Sequence, residues 1–411
     1  NTSVAENVFL GRMDMFRRFG IIDWARLHKA AEEVLSRLGL KVDPRASMGS
    51  LSPSTCKMIE LARALSTNPK VLLLDEITAS LDHDDADTLH RLMDDLRAQG
   101  VGILYVSHRL QEIFGSCTTV EVMKDGAYVT TRPVEDLDES QLSALMIGRK
   151  IDVWERTPGL ADRPVMLELA GLSGNLSIPK HQTSLTAGWV AEKVRRGQIV
   201  TLAGLAGSGA DAVLEAVFGA AAVTAGSIQL DGKMHEGRDI PEAIAAGIAM
   251  VPKERAVEGL IDSADIQFNI GLAGLVRNAR GFFVDGGAEA KDAEQGMQLF
   301  RIKAPGADTA VRNLSGGNKQ KVLLAKWFLT NPKLILLNNP TRGVDVGVKL
   351  EIYEMLQKLR EERDLAVLMA SEDMAEVIRV SDMVITIRHG AISGVFEGEA
   401  ITETNLINAM I

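Results

Sequence analysis

Leu314-Ser315-Gly316-Gly317-Asn318-Lys319-Gln320-Lys321-Val322, and after it Asn338-Asn339-Pro340-Thr341-Arg342-Gly343-Val344-Asp345-Val346-Gly347, is the stretch whose reading decides the fold. The same module stands 263 residues earlier, where Leu51-Ser52-Pro53-Ser54-Thr55 opens it. At equal distance from each leading Leu, an apolar run ends in two polar residues: 71–74 before Asp75-Glu76, and 334–337 before Asn338-Asn339. An Asp follows each at the same offset, Asp82 and Asp345, and at the same spacing His108 of the first copy is matched with Ser371 of the second. On this reading no net insertion separates the landmarks, while the polar chemistry has diverged. An internal repeat implies two related domains, of which one kept its reactive groups.

Outward from the repeat, the organisation is α/β. Residues 29–40 carry helical periodicity through Ala30, Val34, Leu35 and Leu38 and stop at Gly39; residues 55–66 repeat it through Met58, Ile59, Leu61, Ala62 and Leu65. The runs 71–74 and 103–106 are continuous and apolar, the pattern of buried parallel strands, and residues 84–99 between them read as a helix. Strand, helix, strand is a parallel crossover, and 334–337, 348–360 and 366–369 repeat it. Residues 149–165 are polar and hold Pro158, Gly159 and Pro164, which places a linker there, with domains over 1–148 and 166–411. The second opens on a strand at 166–169 and a hairpin-like stretch to Gln198; residues 276–296 are rich in Gly and Ala and give no clear pattern.

Composition bounds the function. The chain has 411 residues, 46% of them hydrophobic, and a net charge of −10, which suits two or more globular domains and argues against a nucleic-acid-binding surface, which would need a basic patch or stripe. Cys56 and Cys117 stand too far apart to form a disulfide framework and suit a reducing compartment. No apolar run reaches the roughly 18 residues of a membrane span, and no basic-then-apolar leader opens the chain. The first residue is not Met and reads as the interior of a domain.

A glycine-rich loop forms the second motif. The apolar run 199–203 enters Gly204-Leu205-Ala206-Gly207-Ser208-Gly209-Ala210-Asp211, and residues 212–218 follow as a helix. This is the place and glycine spacing of a phosphate cradle, G-x-x-x-x-G-K-[ST], whose glycines let backbone N–H groups approach phosphate. Two residues depart from it. Ala210 stands where a Lys contacts the outer phosphates, and Asp211 stands where Ser or Thr ligates magnesium.

With these motifs the chain resembles the ATP-binding subunits of ABC transporters, in particular the tandem-domain subunits of bacterial importers of ribose, galactose, xylose and similar simple sugars. The signature Leu314–Asn318 with Lys319-Gln320-Lys321-Val322 resembles that of the family's second domain, and 338–347 resembles D-E-P-T-R-G-[IV]-D-V-G. Ser3-Val4-Ala5-Glu6-Asn7-Val8-Phe9-Leu10-Gly11 is similar to the segment after the first domain's glutamine loop, and Met146-Ile147-Gly148-Arg149 to that domain's close. The resemblance implies two tandem nucleotide-binding domains, each with a RecA-like parallel-sheet core, a helical signature subdomain and a small antiparallel β part. It implies that the first is incomplete, with its P-loop expected roughly sixty residues before residue 1.

The residues at these positions suit the implied roles. Asp75 ends a strand, where such sheets bind ligands, and is expected to hold Mg²⁺, through water since that ion dehydrates reluctantly. Glu76 is placed to polarise the attacking water, and His108 to hydrogen-bond the γ-phosphate. The cluster Asp82-His83-Asp84-Asp85 with Asp87 invites a metal reading, but acids in a helix's first turn favour its dipole, and that reading is rejected. Resemblance further implies that each ATP and its Mg²⁺ lie between the phosphate-binding groups of one domain and the signature of the other. One composite site then takes Asp75, Glu76, Asp82 and His108 with Ser315, Gly316, Gly317 and Asn318. The other takes Gly204, Gly207, Ser208 and Gly209 with Asn338, Asn339, Ser371 and a signature in which Pro53 lacks an N–H. The departures all fall in the second set.

The function expected is the ATPase subunit of an ABC importer for a simple sugar, asymmetric, with one catalytic and one degenerate site. Implied partners are transmembrane permease subunits and a periplasmic sugar-binding protein, with no nucleic acid, at the cytoplasmic face of the bacterial inner membrane. Alternatives are the same role for a nucleoside or other small solute, a soluble tandem protein acting on ribosomes or DNA, and a truncated non-catalytic remnant. The acidic charge and the lack of a long charged helix between the domains stand against the ribosome or DNA reading.

Overall fold

The structure is a computed structural model. It describes residues 2–75, 77–81, 83–107, 110–124, 126–148, 154, 159–174, 177–178, 181–182, 192–205, 207–237, 239–275, 279–280 and 283–411. The chain divides into two compact units, Asn1–Lys150 and Ile151–Ile411.

In the first unit three helices, α1 (Val4–Val8), α2 (Trp24–Arg37) and α3 (Pro53–Leu65), pack through Val4, Val8, Leu27, Ala31, Leu35, Met58, Ile59 and Ala62. Their starts are set by side chains that occupy the free N–H groups of a helix's first turn. Ser3 and Glu6 form a reciprocal capping box at α1, and Asp23 accepts from the Arg26 N–H at 3.1 Å at α2. The crossover follows as β1 (Val71–Asp75), α4 (His83–Ala98) and β2 (Gly102–Val106), with β1 and β2 parallel. After α5 (Leu110–Ser116) come a hairpin of β3 (Thr119–Lys124) and β4 (Ala127–Pro133), then α6 (Glu139–Ile147).

One expectation fails here. The apolar runs of β1 and β2 read as strands buried on both faces, yet Val71, Leu73, Leu104 and Val106 are exposed while Leu72 and Leu74 are buried. Among the described residues these two strands pair only with each other, so the side chains that alternate across the sheet meet the helical core on one face alone.

The second unit has a six-stranded sheet. Along its edge lie β10 (Ile248–Val251), β11 (Leu334–Asn338), β12 (Ala366–Ser371), β7 (Ile199–Ala203), β13 (Met383–Arg388) and β14 (Ala391–Glu397). All neighbours are parallel except the last pair. The first five strands are buried almost throughout, the condition of a parallel sheet covered on both faces. A smaller antiparallel sheet takes β6 (Glu192–Arg195), β5 (Val165–Gly174), β8 (Val223–Leu230) and β9 (Lys233–His235) in that order. Helices α7 (Ala210–Val217) and α8 (Ile240–Ala246) follow β7 and β9. A helical part follows β10: α9 (Ile266–Gly271), α10 (Gly286–Leu299) and α11 (Gly316–Phe328). The unpatterned stretch 276–296 thus contains much of a helix, α10, started by Asp285, which accepts from the Gly287 and Ala288 N–H groups. Helices α12 (Val346–Arg363), α13 (Met374–Val380) and α14 (Glu403–Met410) complete the unit. Arg360 and Asp382 form a fully buried ion pair at 3.0 Å, and Asp382 also accepts from the Ile199 N–H at 2.8 Å, which anchors the start of β7.

Candidate phosphate loop, strand ends and signature

In the second unit the glycine loop leaves β7 at the C-terminal edge of the sheet, where open α/β sheets bind ligands. Gly207 and Gly209 have φ of 80° and 101°, a region that side chains disfavour. At Gly204 a Cβ would lie 2.4 Å from Ser208 Oγ and 2.7 Å from the Ile387 carbonyl oxygen. The Ser208 side chain therefore folds back over Gly204. Ser208 N–H donates to the Leu205 carbonyl at 2.9 Å, and its own carbonyl accepts from Gly390 N–H at 2.8 Å. The loop leads into buried Ala210 and then Asp211 in the first turn of α7.

Asn338 and Asn339 sit at the end of β11, which is separated from β7 by β12, and both are buried. Their amides are committed to one another and to backbone. Asn339 Nδ2 donates to Asn338 Oδ1 at 3.1 Å, and Asn339 Oδ1 accepts from Glu372 N–H at 3.0 Å. Asn339 holds φ of 47°, a conformation Asn tolerates better than most residues, and its N–H donates to the Ala370 carbonyl at 2.7 Å.

The register of the two crossovers corrects the matching of His108 with Ser371. Asp75 faces Val106 across β1 and β2, and Asn338 faces Ala370 across β11 and β12. Since Asp75 and Asn338 are counterparts, Ser107 corresponds to Ser371 and His108 to Glu372. The second copy therefore has one extra residue after Asn338, absorbed by α12 continuing past the point where α4 ends.

Side-chain bonds agree with this register. Ser371 Oγ donates to Glu376 at 2.6 Å and Thr341 Oγ1 donates to it at 3.0 Å. In the first unit Ser107 Oγ donates to Glu112 at 2.6 Å and Thr78 Oγ1 at 3.0 Å, and Tyr105 OH also donates. Burial pushes the Glu376 carboxyl above its ordinary value, and burial with the Glu112 contact pushes Tyr105 up to about 12. Sequence reasoning missed Glu112 and Glu376. The repeated Ser-x-x-x-x-Glu at 107–112 and 371–376 was the available signal.

Glu372 and Asp211 are joined by a residue that sequence reasoning also missed. Lys253 Nζ lies 2.6 Å from Glu372 Oε1 and 3.4 Å from Asp211 Oδ2. Burial pulls the ammonium down, but the Glu372 hydrogen bond and the two carboxylates outweigh it and hold its pKa above the ordinary value. Two residues on, Arg255 donates to the Arg342 and Gly343 carbonyls, each at 3.2 Å.

The signature forms the start of α11. Ser315 caps it and accepts from the Asn318 side-chain amide at 3.0 Å. At Gly317 a Cβ would approach Val348 to 2.7 Å, and at Gly316 it would meet the Arg255 guanidinium at 3.1 Å, so neither position takes a larger residue without a shift. The first copy starts α3 the same way, with Ser52 accepting from Thr55 N–H at 3.1 Å, but Pro53 takes the first helical position. Ser54, at the place of Gly317, is buried and donates to Asp85 at 2.5 Å.

Of the expected catalytic set, Asp75 ends β1 with its side chain exposed, while Glu76, Asp82 and His108 lie outside the described residues. Asp345, the counterpart of Asp82, caps α12 by accepting from Val348 N–H at 3.0 Å. ATP and Mg²⁺ suit the two ends of the repeat unequally. Mg²⁺ takes oxygen ligands; the second unit offers Asn amides already paired and an Asp211 already held by Lys253, and these do not fit that ion. Among the described residues no group of three or more His, Cys, Asp or Glu is gathered as a metal site, and no helix is long and apolar enough to cross a membrane.

The sequence model of the ABC transporter family matches residues 1–79 and 189–342. The chain belongs to the ABC transporter family. Ribose import ATP-binding protein RbsA of Chromobacterium violaceum is 39% identical over 411 residues, which cover 99% of this chain and 79% of that protein. RbsA of Geobacillus kaustophilus is 35% identical, covering 99% and 80%. A putative ribose/galactose/methyl galactoside import ATP-binding protein of Burkholderia lata is 37% identical, covering 98% and 78%. A dimeric ATP-binding cassette solved in a post-hydrolysis state with ADP and Pi shares the ABC fold, with a TM-score of 0.50 and 22% identity over 56% of this chain and 98% of that one. The tandem ABC architecture implied by the signature motifs is thereby established, with a mixed α/β fold around a parallel sheet.

Proposed function

We propose that this chain is the ATP-hydrolysing, energy-coupling subunit of an importer for a simple sugar. The relatives' names support the solute class, and the observation that carries the site assignment is the asymmetry of two equivalent strand ends. Asp75 presents a carboxylate where Asn338 presents an amide already paired with Asn339. At the following position Glu76 of the first copy is matched by Asn339; an amide accepts no proton, so on this reading the base belongs to the first unit. On this reading Asp75 holds Mg²⁺, Glu76 orients and deprotonates the attacking water, and His108 contacts the γ-phosphate. Asp82 belongs to the same set. Ser315, Gly316, Gly317 and Asn318 supply a hydroxyl, an amide and the N–H groups of a helix start, which favour anions. Gly204, Gly207, Ser208 and Gly209 keep a phosphate cradle that does not hydrolyse.

The partners on this proposal are permease subunits in the membrane and a periplasmic binding protein that delivers the sugar, with this chain attached peripherally at the cytoplasmic face. The test is Glu76→Gln in the transporter assembled with its permease and supplied with Mg²⁺-ATP. ATP turnover and ribose or galactose uptake should both fall to background while nucleotide still binds. Near-normal turnover in that variant would place the catalytic half elsewhere, and turnover without uptake of any simple sugar would reassign the solute.

A further inference from the structure

The register places acids at two positions of the second unit that the phosphate-binding pattern gives to other groups. Asp211 stands at the metal-ligating Ser or Thr of the loop, and Glu372 stands at the counterpart of His108. Two carboxylates facing one pocket repel each other unless a cation lies between them. Lys253 is that cation: its Nζ reaches Glu372 at 2.6 Å and Asp211 at 3.4 Å, and its side chain is only 23% exposed. The chain of contacts continues inward, since Glu372 N–H donates to Asn339, whose amide donates to Asn338. From the start of α7 to the end of β11 the polar groups answer one another.

We propose that Lys253 is the resident cation of the second unit's phosphate loop, standing between Asp211 and Glu372 where a divalent metal would otherwise be drawn, so that this loop recruits no Mg²⁺. The length of the loop and the positions of its glycines are those of a metal-nucleotide site, but its charge is balanced internally. A metal entering would have to displace an ammonium held by two carboxylates, and the strand-end ligand it would gain in exchange is a buried amide. The inference rests on reading residues 204–211 as a phosphate loop and does not depend on the solute transported.

The experiment is a Mn²⁺ titration of the purified chain, with free Mn²⁺ read by electron paramagnetic resonance. Lys253→Met keeps the length and apolar stem of the side chain and removes the charge, which leaves Asp211 and Glu372 to hold a divalent ion. The variant should bind one more Mn²⁺ per chain than the unaltered protein. The double variant Lys253→Met with Asp211→Asn should lose that extra ion, and Lys253→Arg should behave as the unaltered protein does. Equal Mn²⁺ stoichiometry and affinity in the unaltered protein and Lys253→Met would overturn the proposal. Should Lys253→Met fail to fold, Asp211→Asn alone decides. Unchanged Mn²⁺ uptake supports a loop that held no metal, and loss of one ion shows that metal and Lys253 coexist there. None of these readings uses ATPase or transport activity, so they stand or fall apart from the sugar-import reading.

Discussion

Glu376 gives the most direct test of how the second unit's strand ends are held. Its carboxyl is fully buried and accepts from Ser371 Oγ at 2.6 Å and from Thr341 Oγ1 at 3.0 Å. Replacing it by Ala leaves two buried hydroxyls without that acceptor, at roughly 1–3 kcal/mol each. The expected loss is about 2–6 kcal/mol, or roughly 30- to 20,000-fold faster amide exchange where opening of this region controls exchange. Replacing it by Gln keeps the shape and one acceptor; one hydroxyl reverses to accept from the new amide, and the cost should stay near 1 kcal/mol. The pH dependence separates the two roles of the group. Burial raises its folded pKa, so the folded unit binds this proton more tightly than the unfolded chain does. Its contribution is complete below the ordinary carboxylate range and is lost as pH rises through the folded value. Hydrogen exchange followed by mass spectrometry on peptides from β12 and α13, corrected for intrinsic rates, should show Glu376→Gln gaining on the unaltered protein as pH rises above the ordinary carboxylate range. Parallel pH trends in the two proteins, or an Ala variant as mild as Gln, would refute this account of the Ser371–Glu376–Thr341 cluster.

Two further outcomes are expected. Ser315→Arg should stop ATP hydrolysis in the assembled transporter, because the side chain fills the anion-facing start of α11, whereas Ser52→Arg should matter much less, since Pro53 already removes an N–H from α3; ATPase rates of the two variants, each checked for assembly, decide it, and greater damage from Ser52→Arg would reverse the pairing of signatures. Arg360→Ala should destabilise the second unit by about 3–5 kcal/mol, because it strands the buried Asp382 carboxylate beside β7; thermal melting checks it, and a shift too small to measure would mean that Asp382 is not charged in the folded protein.

The sequence showed the architecture well because its strongest signals are local and physical. The runs 71–74 and 334–337 became β1 and β11, and the periodicity after Ser52 became α3, because apolar period and capping chemistry act within a few residues. Burial of β1 and β2 was misjudged for a different reason: an apolar run records what a strand tolerates, while exposure depends on which strands and helices actually lie against it, and those are long-range facts. Helix α10 was missed because Gly286, Gly287 and Gly296 weaken helical propensity, and here the Asp285 cap and the packing of buried Ala293 and Gly296 decide the outcome. Lys253 was invisible because its partners stand 42 and 119 residues away, with no spacing rule to join them.

The one-residue slip at Ser371 has a sharper cause. Counting from fixed landmarks assumes that insertions fall in loops where they show, but a helix can lengthen by a residue at its C-terminal end with little disturbance, and α12 runs on to Arg363 and closes with Asp364 in the left-handed conformation at φ 52°. Hydrogen-bonded register is a stricter ruler, since a slip by one residue in a buried strand exchanges its faces. Under that ruler Ser371 was never a decayed histidine. It is the partner of Glu376, as Ser107 is of Glu112, and both copies retain it because a carboxyl withdrawn from water, fully for Glu376 and partly for Glu112, needs hydrogen-bond donors. The position that changed its chemistry is the next one, turned toward the phosphate loop, where His108 became Glu372. The polar cluster is alike in the two copies, and the sequence divergence collected at the strand ends and just after them: Asp75 to Asn338, Glu76 to Asn339, His108 to Glu372. With an acid at residue 372 and another at 211, the charge of the second site is inverted relative to a metal-assisted one, and Lys253 is the side chain that makes the inversion tolerable.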